Sequence, residues 1–346
     1  MKIAVNTRFL LPEKLEGIGK FTFETLKRLT VQHPEHEFIF FFDRPYDKRF
    51  IFSDNVTPVV LMPPARHPFL WYIWFEISVA RALKKLKPDV FLSTDGYTAL
   101  AAGVPRVTVM HDLAFEHYPK DLGFLVRRYL QYFSPKYAQA SDQIIAVSEY
   151  TKQDIVKTYS QPASKINVVY NDASDFFKPI SEKEQETIKR IYSQGQDYFI
   201  FVGAIHPRKN LVNLFKAFDK FKKQLICPVK LLIVGREGWN YGDIKQTYEQ
   251  MKFKDDVLFT GRVSDQELVR LYGAALASVY VPYFEGFGIP IVEAQKCNCP
   301  VITSTVTSMP EVAGDAALLV DPFSVDEIAS AMIDVYRHPD LRQDLI

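Results

Sequence analysis

Short apolar runs recur along the whole chain, with helical periodicity between many of them. In the first half they cover residues 2–7, 37–42, 56–62, 89–93, 106–110, 143–148 and 166–170. In the second half they cover residues 198–204, 230–235, 257–261, 277–281, 300–304 and 317–320. Several are continuous rather than alternating, as in Leu231-Leu232-Ile233-Val234. A strand apolar on both sides belongs in a parallel sheet covered on both faces. Leu211, Leu214, Phe215, Phe218 and Phe221 recur at the spacing of one helix face. Ser264-Asp265-Gln266-Glu267 has the form of a capping box.

The rhythm breaks at residues 171–196, where Asp172, Ser174, Asp175 and Pro179 precede a charged helix from about Ser181. This stretch reads as a linker plus the first helix of a second domain. The expected fold is α/β: two doubly wound domains, 1–174 and 175–346, facing a central cleft. Ligands of such sheets bind outside the carboxyl ends of the strands.

Composition narrows the picture. The chain has 346 residues, 47% hydrophobic and 24% charged, enough for two cores. A formal net charge of +1 argues against a bulk nucleic-acid binder, so any basic site must be local. Cys227, Cys297 and Cys299 make no disulfide framework and read as ordinary buried thiols. Residues 1–5 read as a strand rather than a signal peptide, and no apolar run is long enough to span a bilayer. The expected location is cytoplasmic. Residues 69–75, followed by Arg81, Lys84, Lys85 and Lys87, leave open a peripheral contact with the inner membrane face. The simpler reading is a helix packed on a sheet, its last turn carrying cations.

The richest stretch is Tyr283-Phe284-Glu285-Gly286-Phe287-Gly288-Ile289-Pro290-Ile291-Val292-Glu293-Ala294. Proline suits the start of a helix. Glu285 is therefore expected in a tight glycine loop and Glu293 in the first helical turn. Unpaired amides and the helix dipole favour an anion at such a place. A carboxylate aimed at the same phosphate would repel it, so the two acids should reach for neighbouring hydroxyls. A nucleotide sugar has both.

Arg208-Lys209 follows a strand through a short turn, with Asn210 expected to cap the next helix. Two cations there can clamp a diphosphate; alone they read more simply as a solvated basic turn, and their place at a strand end in the same half as the two-acid loop favours the clamp. Residues 16–20, with Gly17 and Gly19, form a glycine turn before a helix from about Thr22. The turn suits a phosphate, a sugar or nothing at all, and it lacks the full dinucleotide and P-loop patterns. His111-Asp112 ends a strand, where it could contact sugar hydroxyls, act as acid and base, or be structural. Ser148 reads most simply as a helix cap. No Asp-x-Asp pair is present to hold a diphosphate through a metal, and no Gly-x-Ser-x-Gly elbow for a hydrolase.

With these motifs in place, the chain resembles the retaining glycosyltransferases of family 4, also called group 1, with the GT-B fold of two Rossmann-like domains. The likeness runs through most of the chain. It includes residues 16–20, His111-Asp112, residues 201–203 with Arg208-Lys209, residues 259–263, the Glu285 and Glu293 signature, and residues 310–314. The resemblance implies that Arg208 and Lys209 neutralise the donor diphosphate in place of a metal. It implies that Glu293 binds ribose hydroxyls, and that Glu285 and the amides of Gly286, Phe287 and Gly288 hold the donor sugar and its phosphate. His111 would contact the donor sugar, Gly19 would approach the phosphates or the acceptor, and the backbone of Arg262 and Val263 would lie by the base. No cofactor or metal is expected.

The substrates expected are a GDP- or UDP-linked sugar and a glycan or lipid-linked acceptor. Residues 235–241 and 285–290 resemble mannosyltransferase members, which points to mannose. An epimerase or phosphorylase on the same fold, or a non-catalytic nucleotide-sugar-binding partner, are the alternatives. Three departures stand out. Asn171-Asp172 replaces the usual Asn-Gly of the linker, Val281-Pro282-Tyr283 replaces a loop that usually contains Pro-Ser, and the chain stops at Ile346 in a helical segment. The resemblance therefore leads one to expect a truncated chain without the final helix that crosses back to the first domain.

Overall fold

A computed structural model describes the chain over residues 1–346, apart from residues 13, 14, 16 and 237–241. Glu16 of the glycine turn, and residues 237–241 of the stretch compared with mannosyltransferases, therefore lie outside the described residues. The chain divides into two compact units, Met1–Asn171 and Asp172–Ile346. The sequence placed this boundary at 174/175. It falls earlier because Lys296 Nζ holds the Ala173 carbonyl at 2.6 Å and Asp172 Oδ2 at 3.0 Å. Ala173 and Phe177 then enter the second unit's core.

The strands of the first unit are β1 (Lys2–Asn6), β2 (Glu37–Phe42), β3 (Val56–Val60), β4 (Val90–Ser93), β5 (Arg106–Met110), β6 (Gln143–Ala146) and β7 (Ile166–Val168). Those of the second are β8 (Tyr198–Val202), β9 (Lys230–Val234), β10 (Val257–Gly261), β11 (Ala277–Tyr280), β12 (Val301–Ser304) and β13 (Leu318–Val320). Each apolar run named from the sequence holds one of these strands.

In the first unit all pairings are parallel, in the order β3-β2-β1-β4-β5-β6-β7. The run of aromatics in β2 shows why it carries no polar face. Phe38, Phe40 and Phe42 pack with Leu26 and Phe50, whereas Ile39 and Phe41 pack with Trp74 and Phe75. Helices therefore cover both faces. Trp74 and Phe75 are buried, as the simpler reading of residues 69–75 requires, whereas Phe69 and Tyr72 are exposed. The order reverses between β1 and β4, a switch point at which doubly wound sheets bind ligands.

The second unit is also parallel throughout, in the order β10-β9-β8-β11-β12-β13, with one continuous core. Its switch point lies between β8 and β11. Ser264 accepts the Glu267 amide, but the reciprocal half of the expected capping box is missing because the Glu267 carboxylate takes the Tyr192 hydroxyl instead. A complete box sits at Ser181 and Glu184. Cys297 and Cys299 are buried, and burial pushes the Cys297 thiol up to about 12, so both behave as apolar filler.

Candidate active site

The loops that follow β8 and β11 build one cluster at the second unit's switch point. After β8 the chain reaches a short 3-10 turn, Pro207–Lys209, opened by His206, whose Nδ1 accepts the Arg208 amide at 3.3 Å. Asn210 follows with φ 63. Its side chain does not cap the next helix as expected. It donates to the carbonyls of Val281 at 2.9 Å and Pro322 at 2.7 Å. The Tyr283 amide also donates to the Arg208 carbonyl at 3.1 Å. The two loops are thus pinned by backbone and by a buried amide, both independent of any ligand.

Within this frame Lys209 Nζ donates to the Tyr280 hydroxyl at 2.6 Å and to Glu285 Oε1. Arg208 stands 3.8 Å from the same carboxylate oxygen. Burial, followed by the Glu285 charge, raises the Tyr280 pKa well above that of a free phenol, so its hydroxyl stays protonated and bonds the carboxylate. Side-chain exposure is 26% for Arg208 against 14% for Lys209 and 11% for Glu285, so Arg208 is the most solvent-facing of the three. Two cations and one carboxylate leave the cluster one positive charge.

Gly286, Phe287 and Gly288 lead from Glu285 into the helix Ile289–Lys296. The buried Ser308 hydroxyl lies 3.0 Å from both the Glu285 and Phe287 carbonyls and fixes the loop. Gly288 adopts φ 103, where a side chain would be strained. That turn lets the helix begin at Ile289, one residue before the proline. Glu293 is consequently in the second turn, a correction to the first-turn expectation. It is 5% exposed. The neighbouring Tyr272 hydroxyl is buried without a hydrogen-bond partner, and burial followed by the Glu293 charge keeps it protonated. Arg262 and Val263 follow β10, two strands from β8 along the same end of the sheet.

In the first unit His111 follows β5 and its Nε2 lies 2.8 Å from the Thr94 carbonyl. A carbonyl only accepts, so Nε2 carries the proton and Nδ1 is left as an acceptor. Burial lowers the His111 pKa, which keeps the ring neutral. The Phe21 ring packs edge-on against it at 4.9 Å. Asp112 Oδ1 accepts the Ala114 amide at 2.9 Å, and Ser148 caps its helix as expected. Gly19 lies inside the helix Ile18–Gln32, which starts four residues before the expected Thr22. Gly17, at φ 47, turns the chain straight into it.

The sequence reading did not single out Tyr280 or Ser308. Tyr280 ends a strand at the switch point, and that position was signal enough to find it. Ser308 carried no signal, because its partners are carbonyls of a distant loop.

Residues 182–346 match the family described as "Glycosyl transferases group 1", and residues 15–171 match "Glycosyltransferase Family 4". The chain is 33% identical over 276 residues to the O-antigen chain mannosyltransferase RfbU of Salmonella typhimurium, covering 79% of this chain and 72% of that one. It is 29% identical over 335 residues to the O-antigen chain mannosyltransferase B of Escherichia coli, covering 92% and 86%. The Alr3699/HepE structure from Anabaena, in complex with UDP and glucose, superposes with a TM-score of 0.75 at 16% identity, covering 100% of this chain and 92% of that one. Among the described residues no helix is long and apolar enough to cross a membrane.

Proposed function

The chain belongs to the group 1, family 4 glycosyltransferases, and from that premise we propose that it moves a mannosyl unit, with retention, from a GDP-linked donor to a glycan acceptor without a metal. The observation that carries this reading is the cluster of Arg208, Lys209, Tyr280 and Glu285 at the second unit's switch point. Mannose is the sugar named for the two O-antigen relatives, and their identity levels support carrying it over. The acceptor in this reading is a growing saccharide of that kind.

The chemistry required is loss of a diphosphate from the anomeric carbon. Negative charge grows on the leaving phosphate as the sugar becomes oxocarbenium-like. Arg208 and Lys209, already oriented before the donor arrives, stabilise that charge more in the transition state than in the ground state. Glu293 reads the ribose hydroxyls and Glu285 those of the donor sugar. His111, neutral and presenting Nδ1, accepts a sugar hydroxyl. With no nucleophile assigned, the acceptor attacks on the face the phosphate leaves, and the phosphate takes its proton.

Nucleotide choice is tested by thermal shift with GDP, UDP and ADP. A ligand that binds only the native state raises its stability with occupancy. GDP should give the largest rise, and Lys209→Ala should abolish most of it. A larger rise with UDP would replace the GDP assignment, and no rise with any nucleotide would remove the reading.

A further inference from the structure

The turn that joins the helix Ile18–Gln32 to β2 gathers three side chains able to hold a metal. Its sequence is His33-Pro34-Glu35-His36. The His36 amide donates to the His33 carbonyl at 3.1 Å and closes a four-residue turn, with proline at the second position, which its fixed φ suits. Asn55, just before β3, fastens the turn. Its side-chain amide donates to the carbonyls of Thr30 at 3.1 Å and His33 at 3.0 Å, and its own carbonyl accepts the Phe38 amide at 2.8 Å. The backbone beneath the three side chains is thus fixed without any ligand.

On that backbone the His33 and His36 rings lie nearly parallel, with centroids 5.5 Å apart. Glu35 Oε1 reaches both rings, 3.1 Å from His33 Nδ1 and 3.6 Å from His36 Nε2. One ligand atom from each of the three residues lies within 4.8 Å of the others. Two ligands bonded at about 2.1 Å to a tetrahedral ion stand about 3.4 Å apart, so both contacts to Oε1 match edges of such a site. The side chains are 46%, 58% and 25% exposed for His33, Glu35 and His36, so an ion can reach them and water can fill the fourth position. As plain ion pairs, contacts this exposed contribute little. The turn also lies at the negative end of the helix dipole, and the helix carries no basic residue in its last turn to meet it. His36 Nδ1 lies 3.4 Å from the Met1 amine. With Nε2 on a metal, Nδ1 keeps the ring proton and the amine turns to water.

We propose that His33, Glu35 and His36 bind one borderline divalent transition metal of the zinc class, which ties the end of this helix to the start of β2. Two imidazole nitrogens and one carboxylate oxygen suit such ions, whereas magnesium and calcium take oxygen ligands. The turn precedes β2 and so lies at the amino ends of the parallel strands, whereas His111 follows the carboxyl end of β5. The metal is therefore structural and takes no part in sugar transfer, and the inference stands apart from the function proposed above.

The test uses the full chain, stripped with a chelator and dialysed free of it. Zinc chloride is titrated in by calorimetry, with magnesium chloride as the control, and the melting temperature is followed with each. One zinc should bind saturably at micromolar concentration and raise the melting temperature, since an ion held by the native turn stabilises it with occupancy. Magnesium should do neither. His33→Ala and Glu35→Gln should each weaken zinc binding at least about tenfold, while the metal-free melting temperature and GDP binding stay as in the unaltered chain. His338→Ala, at an exposed histidine outside the turn, should leave zinc binding unchanged. No saturable zinc binding, zinc binding that either turn substitution leaves unaltered, or displacement of zinc by magnesium would each overturn the proposal.

Discussion

Glu285 is the residue at which the proposed donor site already holds a negative charge. Its carboxylate already sits on Lys209 and within 3.8 Å of Arg208, the two cations assigned to the donor diphosphate. An arriving diphosphate must share them with a charge of its own sign. Glu285→Gln should therefore tighten GDP binding by about three- to tenfold, or about 0.7–1.4 kcal/mol, while sugar transfer falls at least about tenfold because the donor sugar loses an acceptor. Isothermal titration of GDP against both forms decides this, and weaker binding by the Gln variant would contradict it. Glu285, Glu293, Arg208 and Lys209 were all legible in the sequence, because acids flanking glycines and a basic pair after a strand carry their own chemistry. The Lys209–Glu285 contact was not, since it joins loops 76 residues apart. Nor was the buried pairing of Arg8 with Asp95, at a separation of 87.

The strands were the most readable elements. Runs such as residues 198–202 and 230–234 are apolar on both sides, and only a sheet covered on both faces explains that. Helix starts were less readable. At Ile18 and Ile289 a glycine with positive φ turns the chain earlier than proline or polar residues suggested. A glycine also governs how the site end of the second sheet closes. The Gly235 amide donates to the Gly261 carbonyl at 3.0 Å, and a Cβ on Gly235 would lie 1.9 Å from the Gly203 carbonyl oxygen. Backbone cannot yield there as a flexible side chain would. Gly235→Ala should cost at least about 2 kcal/mol in urea unfolding and weaken nucleotide binding by displacing the loop after β8. Near-normal stability would show that β8 and β9 can separate without loss.

At the scale of the whole molecule, two sheets of different strand number each reverse their order once, and each reversal carries a cation paired with an acid beside a tyrosine. In the second unit Arg208 and Lys209 still face the site. In the first the cation, Arg8, is sealed behind aromatics. The two-domain plan was visible in the repeated apolar runs. The boundary lies three residues earlier than expected, where Lys296 holds Asp172 and the Ala173 carbonyl and Ala173 packs into the second unit's core. The account is tested most directly by mannosyl transfer from GDP-mannose to a mannosylated acceptor in buffer containing a chelator, for the unaltered chain and for Lys209→Ala. It predicts transfer that survives the chelator and falls at least about a hundredfold in the variant. Equal transfer by both forms, or transfer that stops when metal is removed, would contradict it.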